Sequence, residues 1–273
     1  MSWISLKIAA PSERREALGA WLVAHTGQAV EERDDGTLLA FAATVEDADR
    51  LERELRGTWD TALTRAEMPE VNWVERWRDG IPSRQFGRLV VTPSWLADPS
   101  FVGPQAIIDP ETAFGTGEHG STRAALALLE RHVQTGDRML DLGSGSGILS
   151  ISAVKLGARR AVGIEVDEDA NEVAELNARR NGVADRVEFL FGDAAQLAPV
   201  VGPAEILCSN ILRLVNVALL PEIRASLVPR GIAIFSGMEH TEAAEFRAAL
   251  AAQRYTEVDE VIDAGWWGVA ARP

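Results

Sequence analysis

Apolar and polar residues alternate along Trp3–Ala9, the two-residue period of a half-buried strand. The period then changes. Ala17, Leu18, Trp21 and Leu22 fall on one helical face, Ser12 stands where an N-cap belongs, and Gly27 ends the run. Ala29–Arg33 and Thr37–Ala43 flank Asp34-Asp35-Gly36, a hairpin turn signal. Val45–Arg56 is a second amphipathic helix, stopped by Gly57, and Trp59–Ala66 reads as a last strand. The succession βαββαβ predicts a small ferredoxin-like α+β domain over residues 1–66.

Met68–Asp79 reads as a linking helix, with Trp73 and Trp77 one turn apart on the same side. Phe86–Thr92 and Gln105–Ile108 are short strands around a proline-rich turn, so residues 67–103 read as a linker helix and connecting strand. A helix then runs to about His132. Beyond it, strand and helix follow in turn through Arg138–Leu142, Ile148–Leu156, Arg160–Glu165, Asp169–Asn181, Arg186–Phe191, Glu205–Asn210, Val215–Leu227, Ile232–Ser236 and Glu242–Gln253. This pattern predicts an α/β fold over residues 104–273, a doubly wound parallel sheet covered by helices on both faces. Glu257–Asp263 and Trp266–Ala271 lie close together, which predicts a closing hairpin and one antiparallel strand at that end.

Composition narrows the function classes. Of 273 residues, 47% are hydrophobic and 25% charged, an ordinary globular balance. Asp and Glu total 41 against 27 Lys and Arg, a net charge of −14. Such a chain is poorly suited to grip phosphate backbones or anionic membrane, and it suits a cationic partner. Only Lys7 and Lys155 are lysines. A single cysteine, Cys208, excludes an internal disulfide and a cysteine-built metal site. The N-terminus lacks the pattern of a signal peptide, no apolar run is long enough to span a membrane, and a cytoplasmic setting is expected.

The densest chemical signal is Asp141-Leu142-Gly143-Ser144-Gly145-Ser146-Gly147, where a strand gives way to a helix through glycines that admit close approach of a ligand. The spacing is G-x-G-x-G behind a carboxylate. A dinucleotide fold prefers G-x-G-x-x-G and no acid facing a pyrophosphate. Asp141 instead fits a ligand without phosphates that carries positive charge, such as S-adenosylmethionine. Glu165 ends the next strand, 22 residues after Gly143, where it can accept from a ribose diol. Asp193 follows the third strand and can meet the adenine amino group. The plainer reading of the three acids is a tight turn with helix caps.

Upstream, Asp109-Pro110-Glu111-Thr112-Ala113-Phe114-Gly115-Thr116-Gly117-Glu118-His119-Gly120-Ser121-Thr122 is a polar loop leading into a helix, fit to close over a ligand or simply to cap through Ser121 or Thr122. Downstream, a buried strand ends at Asn210, whose amide can accept from a substrate amine or cap the helix after it. Cys208, mid-strand, reads as an inert core residue. His25, His132 and His240 have no metal-ligand spacing, and no metal site is expected.

These segments together resemble the bacterial methyltransferases of ribosomal large-subunit protein eleven, the PrmA family. The resemblance runs from Trp3-Ile4-Ser5-Leu6-Lys7 through Asn72-Trp73-Val74-Glu75-Arg76-Trp77 and Phe86-Gly87. It continues through the loop from Asp109 to His119, then Asn210-Ile211-Leu212 and Ser236-Gly237. It implies S-adenosylmethionine as cofactor, with contacts at Thr122, Gly143, Glu165 and Asn210; Gly145 belongs to the same turn. It also implies a first domain that recognises substrate and a Trp73–Trp77 hinge. Where the family loop reads G-T-G-T-H-P-T-T, this chain has Gly115-Thr116-Gly117-Glu118-His119-Gly120-Ser121-Thr122. Arg213 stands where a small residue is usual, and the first domain is shorter than in many members. The implied reaction moves methyl groups onto amines of a free ribosomal protein; on chemical grounds Asn210, Glu118 and His119 are the candidates to orient or deprotonate the amine. A monomer that touches neither nucleic acid nor membrane is expected. The same residues also suit a relative acting on another protein lysine or a small-molecule amine.

Overall fold

Four of the strands carry the long apolar runs that a sheet covered on both faces requires. In the computed structural model, which describes residues 4–9, 14–26, 30–32, 37–42, 44–59, 61–67, 81–109, 115 and 117–273, these are β8 (Arg138–Leu142), β9 (Arg160–Glu165), β11 (Ala204–Asn210) and β12 (Leu227–Glu239). With β10 (Val187–Phe191), β13 (Thr256–Asp263) and β14 (Trp266–Arg272) they make a seven-stranded sheet in the order β10-β9-β8-β11-β12-β14-β13. The first five are parallel, and β14 runs antiparallel to both of its neighbours.

Each face has its own core. On one side lie α3 (Gly120–His132), α4 (Ile148–Leu156) and α5 (Glu168–Arg180), burying Leu126, Leu129, Ile151 and Ala178 with Met139 and Ile234 of the sheet. On the other lie α6 (Ala194–Val201), α7 (Arg213–Ala218), α8 (Leu220–Ala225) and α9 (Ala243–Ala252), burying Ala198, Ile223, Phe246 and Leu250 with Leu140, Phe235 and Trp267. The doubly wound α/β sheet expected from the sequence is therefore present.

Two details depart from the sequence pattern. The helix expected at 215–227 is two short helices, because Pro221 opens α8 and has no N–H to continue α7. Residues 194–201 form α6, which the periodicity does not signal; Pro199 sits inside it and Asp193 caps it.

Residues Arg78–Pro273 form one compact unit. It includes a three-stranded sheet of β5 (Arg84–Phe86), β6 (Leu89–Thr92) and β7 (Gln105–Ile107). Leu89, Val91 and Ala106 lie in the same core as α3 and α4, so the unit begins well before residue 104. Asn181 ties β7 to the end of α5, accepting from the Ile107 N–H at 2.8 Å and donating to its carbonyl at 2.6 Å.

The other unit spans Met1–Trp77. Its strands β1 (Ile4–Ala9), β2 (Glu31–Glu32), β3 (Thr37–Ala42) and β4 (Leu63–Glu67) form an antiparallel sheet ordered β2-β3-β1-β4. Helices α1 (Arg15–Thr26) and α2 (Val45–Thr58) bury Leu18, Leu22, Leu51 and Leu55 with Leu6, Ile8 and Leu38 of the strands. Helix α2 starts at the Thr44 cap and passes through Gly57 to Thr58, with Trp59 as its C-cap instead of a strand residue. The expected Ser12 cap, the Gly27 stop, the Asp34-Asp35-Gly36 turn and the Met68–Asp79 helix with Trp73 and Trp77 lie outside the described residues. Among the described residues no helix is long and apolar enough to cross a membrane.

Candidate active site

Strand β8 has β9 on one side and β11 on the other, so chain connections leave it in opposite directions and open a crevice at the carboxyl ends of β8 and β11. The glycine turn sits there. Gly143 has φ 71°, and a Cβ on it would lie 2.6 Å from Cγ2 of Ile211, so any side chain would both strain the backbone and press on the residue after Asn210. Ser146 holds the turn to the upstream loop by donating to the Gly115 carbonyl at 2.7 Å.

The acids are disposed differently from one another. Asp141 is fully buried, and one of its oxygens accepts from the Ser150 N–H at 3.1 Å and the Ser150 hydroxyl at 2.9 Å. Its other oxygen is enclosed without a partner. Asp141 thus anchors the first turn of α4 beneath the glycine turn. Burial pushes its carboxyl up to about 7, against the Ser150 hydrogen bonds, which act to lower it.

This shift has a measurable consequence. An unfolded aspartate ionises near 3.8, so between roughly pH 4 and pH 7 the unfolded chain releases a proton that the folded chain keeps, and stability falls as pH rises. Asp141→Asn keeps an oxygen for Ser150 and removes the titration. In urea unfolding, the variant is expected to gain stability relative to wild type between pH 4 and pH 7. Parallel pH profiles for the two proteins would refute the assignment.

Glu165 ends β9 and accepts from the N–H groups of Gly145 at 2.9 Å, Val166 at 2.8 Å and Asp167 at 3.2 Å. A carboxylate offers about four acceptor positions. One remains for a ligand hydroxyl, and a diol would take the place of one backbone donor. Asp193 is exposed and accepts from the Ala195 N–H at 2.8 Å, the plain helix-capping role, through one of its two oxygens.

Across the crevice, Asn210 ends β11, and its Nδ2 donates to Oγ1 of Thr122 at 3.3 Å. Its Oδ1 is enclosed and has no partner. Asn210 is not a helix cap, since α7 begins at Arg213 behind Leu212. Thr122 and Ser121 are likewise not caps; both lie buried in the first turn of α3, for which His119 is the N-cap position.

Glu118 is paired with a guanidinium. Arg84 of β5 grips both its oxygens, each at 2.6 Å, in a guanidinium fork that fixes the carboxylate in place. His119 shares a hydrogen bond between Nδ1 and the Ser121 hydroxyl at 2.8 Å. Burial, and then nearby Arg123, lower its pKa, so the ring is neutral near pH 7. Gly120 leaves room for Trp266, and Arg213 pairs with Glu242 at 3.0 Å and Glu245 at 2.9 Å. Glu118, Gly120 and Arg213, where this chain departs from the family pattern, are thus each met by another of its residues.

Asn216 was missed by the sequence reading. It accepts from the Ser209 hydroxyl at 2.6 Å and donates to the Ile211 and Ser236 carbonyls at 3.0 Å each, fixing the backbone that follows Asn210. An amide on the apolar side of Leu214-Val215-Asn216-Val217 was the available signal. Cys208, opposite Asp141 in register, is buried and its thiol pKa is raised by burial, in keeping with an inert role. Among the described residues no group of three His, Cys, Asp or Glu side chains could hold a metal ion.

A parallel sheet ordered in this way, closed by one inserted antiparallel strand and carrying a glycine turn and two strand-end acids, defines a Rossmann-like methyltransferase. The family described as Ribosomal protein L11 methyltransferase (PrmA) matches residues 28–272. A ribosomal protein L11 methyltransferase from Thermus thermophilus is 37% identical over 210 residues, covering 77% of this chain and 78% of its own. One from Pelotomaculum thermopropionicum is 37% identical over 224 residues, covering 81% and 72%. The crystal structure of a ribosomal protein L11 methylase from Lactobacillus delbrueckii subsp. bulgaricus aligns with a TM-score of 0.63 at 28% identity, over 70% of this chain and 97% of that one. The chain belongs to the ribosomal protein L11 methyltransferase family.

Proposed function

We propose that this protein methylates amino groups of free ribosomal protein L11, on lysine side chains, the N-terminal amine or both, using S-adenosylmethionine. The observation that carries the reading is the enclosed, unpartnered Oδ1 of Asn210 beside the glycine turn. Its own Nδ2 is committed to Thr122, so the oxygen is the end presented to a hydrogen-bond donor, and an incoming amine is such a donor.

The residues present fit the cofactor. Gly143 and Gly145, both in left-handed backbone at φ 71° and 50°, keep the turn tight and bare of side chains, Glu165 and Asp193 retain acceptor capacity, and Asp141 and Thr122 hold the turn and the loop in place. Bound there, S-adenosylmethionine supplies a methyl group already activated by a sulfonium. What remains for the chain is alignment and exclusion of water. Asn210 accepts from the amine and aims its lone pair. The amine must be neutral to have that lone pair, and burial favours its neutral form. Glu118 braces the loop, and the neutral His119 ring is the candidate for relaying the proton the amine loses. Residues 1–66 serve as the recognition module and the Trp73–Trp77 segment as its hinge. The protein works as a cytoplasmic monomer, away from RNA and membrane, and its net charge of −14 suits a basic substrate.

Purified protein incubated with S-adenosylmethionine and L11 is expected to add mass in steps of one methylene, located by peptide mass spectrometry. Unchanged L11 mass, in a preparation that S-adenosylhomocysteine still stabilises against heat, would transfer the reading to another amine substrate.

A further inference from the structure

The loop beside the glycine turn is held from a distant part of the chain. Arg123, in the first turn of α3, has a side chain only 14% exposed. Its Nε donates to Oδ2 of Asp263 at 3.0 Å, its Nη2 to Oδ1 of the same carboxylate, and its Nη1 to the Glu118 carbonyl. Asp263 ends β13 and Trp266 begins β14, so the turn between them lies against the loop. A Cβ on Gly120 would lie 2.7 Å from the Asp263 carbonyl oxygen and 2.6 Å from Cδ1 of Trp266. The Trp266 and His119 rings are 4.2 Å apart between centroids, inclined at 58°. From the opposite direction, Arg84 holds the Glu118 carboxylate. The first turn of α3 is then tied to the reacting edge of the sheet: the Ser236 hydroxyl donates to the Ser121 carbonyl at 2.9 Å, and Asn210 donates to Thr122.

We infer that the Asp263–Trp266 turn is the rest on which the cofactor loop is held, and that Asp263 is a positioning residue for methyl transfer. The inference builds on the methyltransferase reading above. Asp263 acts through Arg123. It fixes the Arg123 guanidinium, which holds the Glu118 carbonyl and sets where the first turn of α3 meets Asn210. Without the carboxylate, a poorly exposed guanidinium loses its bidentate partner and turns to solvent, releasing the loop.

The test compares Asp263→Asn and Asp263→Glu with wild type. S-adenosylhomocysteine affinity is measured by calorimetry, kcat and KM for S-adenosylmethionine with L11, and urea stability alongside. Asp263→Asn is expected to weaken S-adenosylhomocysteine binding and raise KM by about 10-fold. Asp263→Glu, whose carboxylate still reaches Arg123, is expected to recover most of that loss. A drop in stability with affinity and KM unchanged would reduce Asp263 to a structural residue and overturn the inference. Affinity lost in Asp263→Asn while wild type leaves L11 unmodified would sustain it and defeat only the choice of substrate. A wild-type chain that binds no S-adenosylhomocysteine overturns both.

Discussion

Asn210→Ala is expected to lower kcat with L11 by about 100-fold or more, the scale of losing alignment at a reacting centre. KM for S-adenosylmethionine should change far less. The reason is geometric. The amide is the polar end of a strand otherwise buried on both faces, and its oxygen is enclosed without a partner while its nitrogen is tied to Thr122. Alanine keeps the strand and removes the unpartnered acceptor proposed to receive the amine. Asn210→Asp separates acceptance from charge. A carboxylate still accepts a hydrogen bond, but it stabilises the ammonium form of the substrate, so its rate should rise toward alkaline pH more steeply than the wild-type rate. Wild-type kcat in Asn210→Ala would remove Asn210 from the reaction.

Gly237→Val carries the largest expected stability effect. Gly237 has φ 85°, and a Cβ there would meet the Ile211 backbone, 2.7 Å from its nitrogen and 2.7 Å from its carbonyl carbon. Left-handed strain adds roughly 1–2 kcal/mol, and backbone atoms yield less easily than side chains, so a total near 3 kcal/mol or above is expected in urea unfolding. Ile211 follows Asn210, so methyl transfer should fall as well, even where the variant remains folded. Gly136→Ala is the matched control. Gly136 has φ 92° but nothing within 4 Å of the added carbon, so only the strain applies and kcat should be unaffected. Equal destabilisation in the two variants would show that the contact with Ile211 is unimportant.

The features legible in the sequence are those encoded locally. The parallel strands β8, β9 and β11 announce themselves as apolar runs, and the glycine turn and Glu165 follow from short spacings after them. Asn210 is legible for the same reason, a polar residue closing a buried strand. What stayed hidden depends on contacts between remote segments. Arg84 and Glu118 are 34 residues apart, and Arg123 and Asp263 are 140 apart, so no window of sequence reveals that the two carboxylates are already engaged. Along the chain Glu118 shows only its neighbours, so its ion pair with Arg84 is not legible there. Pro221 was legible in principle as a break, yet the apolar period continues across it and suggested one helix.

The place of β14 also fixes an order of events in time. It follows β13 in the chain, yet it lies between β12 and β13 in the sheet. Until β14 arrives, β13 has no strand to pair with and β12 presents a bare edge of backbone donors and acceptors. β13 can therefore join the sheet only with β14 or after it, and synthesis delivers both last. A chain cut before Trp266 would keep the glycine turn and both strand-end acids but display an open edge, the kind of surface that recruits other chains into aggregates. The strand that covers this edge also carries Trp266, which packs on the His119 ring of the loop beside the glycine turn.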